Sequence, residues 1–83
     1  KNGFFNIEPG QETLNIKSQV DITAGSLEYR LSDPGGMAVY AGTLNAGDTL
    51  DETFPLVAIK GNYIFYIYIE EAVGDYHFII TVD

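Results

Sequence analysis

The segment Tyr63-Ile64-Phe65-Tyr66-Ile67-Tyr68-Ile69 constrains the fold of this chain more than any other. Each of its residues is β-branched or aromatic, and such residues fit a pleated, packed surface far better than a helix. Side chains alternate along a strand, so Tyr63, Phe65, Ile67 and Ile69 share one face and Ile64, Tyr66 and Tyr68 the other. Both faces are apolar. One must line a core, and the other must be covered or bind something. An unpaired strand of this composition would template aggregation, so it is expected in the centre of a sheet rather than at an edge.

Sustained helical spacing is absent, and period-two alternation recurs along the chain. Gly3 to Ile7 is a short apolar stretch closed by Glu8-Pro9-Gly10. Leu14, Ile16, Ser18, Val20 and Ile22 alternate with polar neighbours until Ala24-Gly25, and Leu27, Tyr29 and Leu31 resume the pattern. Asp33-Pro34-Gly35-Gly36 reads as a turn, with proline at the first central position and glycine at the second taking positive φ. Met37 to Leu44 then returns as a hairpin partner. Asn45-Ala46-Gly47-Asp48 turns into Thr49–Phe54, which Pro55 closes. After the tyrosine-rich segment, Glu71 to Asp75 reads as a turn into a last strand, Tyr76 to Val82. The expectation is one all-β domain over residues 1–83: an antiparallel β-sandwich, immunoglobulin-like or jelly-roll-like, of about seven strands.

Charge narrows the function. Twelve acidic residues face four basic ones, Lys1, Lys17, Arg30 and Lys60, for a net charge of −8. The cations are scattered, so no basic stripe exists to neutralise phosphates, and nucleic acid is not an expected partner. Cysteine is absent, which excludes disulfides and thiolate metal sites. No apolar run approaches the roughly 20 residues of a spanning helix. The first residue is Lys1 rather than methionine, so a processed chain or a piece of a longer one is expected.

From Leu27 onward the strand ending in Asp33-Pro34-Gly35-Gly36, its partner Met37-Ala38-Val39-Tyr40-Ala41-Gly42 and the later Gly61-Asn62-Tyr63-Ile64-Phe65 form a recurrent pattern. It resembles bacterial pre-peptidase C-terminal-like domains and, more loosely, Golgi-dynamics-type sandwich domains, with Leu27-Glu28-Tyr29-Arg30-Leu31 standing where the former carry an acidic-apolar strand. The resemblance implies a non-catalytic accessory or interaction module of an exported or surface-attached, extracytoplasmic protein, a lipoprotein among the options.

Candidate chemistry is sparse. His77 is the sole histidine and has no histidine or cysteine partner for catalysis or zinc. Asp51-Glu52 and Glu70-Glu71 are adjacent pairs whose members point to opposite faces of an extended chain. Asp48 with Asp51, or Glu70, Glu71 and Asp75, could gather on a loop around calcium, but they read more simply as solvated turn acids. No nucleotide-binding loop is present, and neither a cofactor nor enzymatic activity is expected. The remaining candidate is the outer aromatic face: Ile64, Tyr66 and Tyr68 on one strand, with His77, Ile79 and Thr81 across a hairpin. Tyrosines there suit a protein partner, self-association or, with Tyr40, stacking on a glycan.

Overall fold

Two strands are too long for the molecule that holds them. The computed structural model describes residues 2–10 and 12–83; Lys1 lies outside the described residues. Its strands are β1 (Asn2–Ile7), β2 (Thr13–Ser32), β3 (Ala38–Asn45), β4 (Thr49–Val57) and β5 (Gly61–Val82). At about 3.3 Å per residue a straight β2 of 20 residues would reach roughly 66 Å. The longest axis of the molecule is 41 Å. β2 and β5, antiparallel partners along almost their whole length, therefore bend together.

The bend lies where β2 slips register between Ile22 and Ser26 and where β5 passes through Glu71 and Gly74. Gly25 has φ of 72° and Gly74 φ of 138°, conformations open to glycine and costly to other residues. At both positions the neighbouring strand approaches too closely for a side chain. A Cβ on Gly25 would strike the Glu71 carbonyl, and one on Gly74 the Asp21 carbonyl. Glu71 itself takes φ of 50°, a left-handed residue that the pairing on either side enforces.

The extra residue at the bend also keeps the apolar set on one side. In β2 the buried positions are the even-numbered Leu14, Ile16, Ser18, Val20 and Ile22 before it, and the odd-numbered Leu27, Tyr29 and Leu31 after it. A bulge adds one residue and so exchanges the two faces of a period-two strand. β5 makes the same exchange: Tyr63, Phe65 and Ile67 face the core before the bend, and Phe78, Ile80 and Val82 after it. β4 lies along Thr13–Asp21 and β3 along Ser26–Ser32, both on the edge of β2 away from β5. β1 adds to Gly61–Tyr66 of β5.

Contacts between the halves show how far the sheet folds over. The Ser18 and Tyr40 hydroxyls lie 2.9 Å apart, although Tyr40 pairs with Leu31, 13 residues further along β2 than Ser18. Tyr29 meets Phe78 with ring centroids 5.5 Å apart, and Tyr40 meets Phe54 at 5.0 Å. Tyr29, Tyr40 and Phe78, with Ile7, Leu27 and Leu44, belong to one core between the two halves, and Phe54 flanks it at the surface.

Tyr40 also donates to Glu52 Oε2 at 2.7 Å, placing that carboxylate on the inner side of β4. Burial, the leading cause, holds the Tyr40 phenol far above the usual tyrosine range, and Tyr29 is raised for the same reason. Among the described residues every buried side-chain polar atom has a hydrogen-bond partner.

The fold is all-β and antiparallel, as expected, but among the described residues it has five strands rather than about seven. The expected boundaries at Ala24-Gly25 and Glu71–Asp75 are bends inside continuous strands, so no hairpin joins Tyr63–Ile69 to Tyr76–Val82. Pro55 does not end β4, which runs on to Val57. As an edge strand β4 can spare one N–H. The Asp33–Met37 turn forms, with Asp33 Oδ1 accepting from Gly35 and Met37 N–H groups, but the positive φ falls at Gly36 rather than Gly35.

Candidate functional site

The strand register places the outer aromatic face residue by residue. On β5, Ile64, Tyr66 and Tyr68 point away from the core, as their alternation requires. Directly paired residues share a face. Phe4 of β1 therefore stands beside Ile64, with Ser32 of β2 on its other side. Arg30 of β2 stands beside Tyr66, and Glu28 beside Tyr68. Ala41 and Thr43 of β3 extend these two rows.

Exposure is high for such side chains. Phe4 is 71% exposed, Tyr68 51% and Ile64 40%. The Arg30 guanidinium lies over the Tyr66 ring, 5.4 Å from its centroid. An exposed pair of this kind contributes about 0.5–1 kcal/mol. Asn6 donates from Nδ2 to Asn62 Oδ1 at the upper margin, closing the patch with a polar rim. Beside Arg30 the surface dips into a shallow depression of about 320 Å³ lined by Glu28, Tyr29, Arg30, Ala41, Gly42 and Thr43.

His77 and Ile79 belong elsewhere. Because β5 bends instead of turning back, His77 pairs with Gln19 and Ile79 with Lys17, on the outer side of the other half. The expected grouping of Ile64, Tyr66 and Tyr68 with His77, Ile79 and Thr81 across a hairpin is therefore corrected. The structure brings the first three together with Phe4 and Arg30, and it separates them from the second three by the bend. Tyr40 is likewise corrected as a glycan contact: it is 7% exposed and points into the core. Sequence reasoning missed Phe4 and Arg30. Their signal lay in the pairing of β1 and β2 with β5, which no local pattern reveals.

The acidic residues do not assemble into a metal centre. Among the described residues no group of three histidine or carboxylate side chains is placed to hold an ion. Asp51 and Glu52 point to opposite sides as their alternation requires: Asp51 pairs outward beside Gln19, and Glu52 binds Tyr40. Ser18, though bonded to that phenol, is fully buried and out of reach of a substrate. Among the described residues no helix is long and apolar enough to cross a membrane. No protein-family model matches the chain, and searches of curated proteins and of solved structures return no match.

Proposed function

We propose that this chain is a non-catalytic interaction module whose partner is a protein surface, a second copy of the chain being the simplest case. It packs as an antiparallel β-sandwich, the two halves of the folded sheet serving as layers, and acts as an accessory domain of an exported or surface-attached protein. The observation that supports this most is the continuous outer row of Phe4, Ile64, Tyr66 and Tyr68, whose exposure exceeds what an unused sheet face needs. Aromatic side chains with an arginine among them are the usual anchors of protein interfaces. Arg30 and Glu28 lie two positions apart on β2, so a two-fold mate could pair each with the other's opposite charge.

Light scattering across concentration, on the wild type and on Ile64→Lys, tests this. Ile64 sits in the middle of the patch and is 40% exposed, so a lysine there leaves the core intact. The expected result is association in the wild type that weakens at least tenfold in the variant. Two monomers of equal size at every concentration would contradict self-association.

A second reading is favoured by the depression beside Arg30. Tyr66 and Tyr68 lie outside it but pair with Arg30 and Glu28 of its lining, and rings beside a guanidinium and a carboxylate suit a neutral oligosaccharide, with stacking surface and charged groups for the hydroxyls. Perturbation of Tyr66 and Tyr68 resonances by cellohexaose or maltohexaose, in a monomeric chain, would favour this reading over the first.

A further inference from the structure

The bend that places the aromatic face also leaves β5 with an open edge. β1 covers Gly61–Tyr66 and stops there. From Tyr68 to Val82 the described residues provide no strand on the side of β5 away from β2. Every second residue of such an edge directs its N–H and C=O outward, a template for one more strand. The straight part, Tyr76-His77-Phe78-Ile79-Ile80-Thr81-Val82, has no proline, glycine, lysine, arginine or carboxylate to obstruct pairing. The competing edges are poorer: β4 is interrupted by Pro55 and carries Asp51 and Glu52, β1 has only 6 residues, and β3 is weakened by Gly42.

We propose that the Tyr76–Val82 edge accepts an extended segment of a partner protein as an added antiparallel strand, and that this segment is apolar at alternate positions and basic at its ends. The chemistry of the occupant follows from what flanks the edge. Phe78, Ile80 and Val82 lie at the margin of the core, partly buried, whereas Leu14, Ile16 and Ser18 on the adjacent β2 are fully buried. Inward-facing side chains of an added strand would extend that core, so those positions take valine, isoleucine or an aromatic residue. Glu70, Glu71 and Asp75 precede the edge and Asp83 follows it, in a chain of net charge −8. Lysine or arginine at both ends of the added strand meets these carboxylates. A second copy fits less well, because antiparallel self-pairing centred on Ile79 sets Asp75 against Asp83 of the mate. Backbone pairing supplies the affinity and the alternate side chains the selectivity.

The probe is the blocked peptide Lys-Val-Thr-Val-Lys-Val-Thr-Lys, titrated against the whole chain by NMR with amide exchange. Binding is expected to slow exchange of outward N–H groups within Tyr76–Val82 at least tenfold. N-methylation of alternate peptide residues, or replacement of its lysines by glutamate, is expected to weaken binding at least tenfold. Ile79→Lys, at an outward and 46% exposed position, should weaken it as much, while Ile64→Lys leaves it unchanged. That last comparison separates this edge from the aromatic face. No binding at millimolar peptide, equal binding of the methylated or glutamate peptides, or a dimer of the wild type that Ile79→Lys dissociates would each overturn the proposal.

Discussion

Gly74→Ala is expected to remove about 3 kcal/mol of folding stability, a large share of what a domain of this size possesses. Two costs combine. With φ at 138°, Gly74 sits in a region that a residue with a Cβ enters only under strain. The new methyl would also overlap the Asp21 carbonyl of β2, a backbone atom held by pairing on both sides and unable to move aside. Gly3→Ala supplies the control. Gly3 has open space around its Cβ position and lacks positive φ, so its replacement should change stability by less than about 0.5 kcal/mol. Urea denaturation of both variants measures the difference. Equal midpoints would mean that β5 does not bend at Gly74.

Tyr40→Ala should cost about 3–5 kcal/mol, the range for truncating a buried aromatic side chain. Its ring packs on Tyr29 at 5.1 Å and on Phe54 at 5.0 Å, and its hydroxyl joins Ser18 to Glu52. Tyr40→Phe keeps the rings in contact and isolates the polar part. It should cost about 1–2 kcal/mol, because the fully buried Ser18 hydroxyl loses its partner.

The same residue sets an alkaline limit. Tyr40 and Tyr29 hold their phenolic protons more tightly in the folded chain than the ordinary value of 10.0 allows. Below that pH both folded and unfolded states keep the proton, and this contribution to stability is complete. Above it the unfolded chain ionises while the folded one does not, so stability falls as pH rises. The slope is at most about 1.4 kcal/mol per pH unit for each tyrosine. Denaturant midpoints from pH 9 to 12 should show this decline, and Tyr40→Phe should make it shallower. A decline unchanged in the variant would place the titrating group elsewhere.

Much of the architecture was legible in the sequence because alternation reports which side of a strand is buried. The set Leu14 to Ile22, the set Leu27 to Leu31, and the two faces of Tyr63–Tyr68 match the structure, whereas Ile69, expected alongside Tyr63, Phe65 and Ile67, is 41% exposed. What alternation does not report is whether a break in it is a turn or a bulge. Ala24-Gly25 and Gly74-Asp75 carry the residue types of both, and the choice is made by partners distant in sequence, β2 and β5 each holding the other extended through the bend. The change from even to odd buried positions across Gly25 is the one local sign of a bulge. A hairpin does not need that change of parity, and an inserted residue does.

The candidate site suffered from the same ambiguity. Ile64, Tyr66 and Tyr68 project outward as their spacing requires, but a hairpin that does not exist would have supplied the wrong neighbours, His77 and Ile79. Tyr40 is flanked by Val39 and Ala41, so its local sequence favours neither face. Only the folding of the sheet decides that it is buried. The tyrosine-rich strand is central as far as Tyr66, where β1 flanks it, and beyond β1 it runs along the open edge of β5.

Nuclear Overhauser contacts test most directly whether the two long strands fold over as single bent ribbons. Backbone contacts joining Tyr68 to Glu28 and His77 to Gln19, together with contacts between the rings of Tyr29 and Phe78, are the expected pattern. Backbone contacts joining Tyr68 directly to His77, with none between the Tyr29 and Phe78 rings, would show a hairpin in place of the bend and contradict the account.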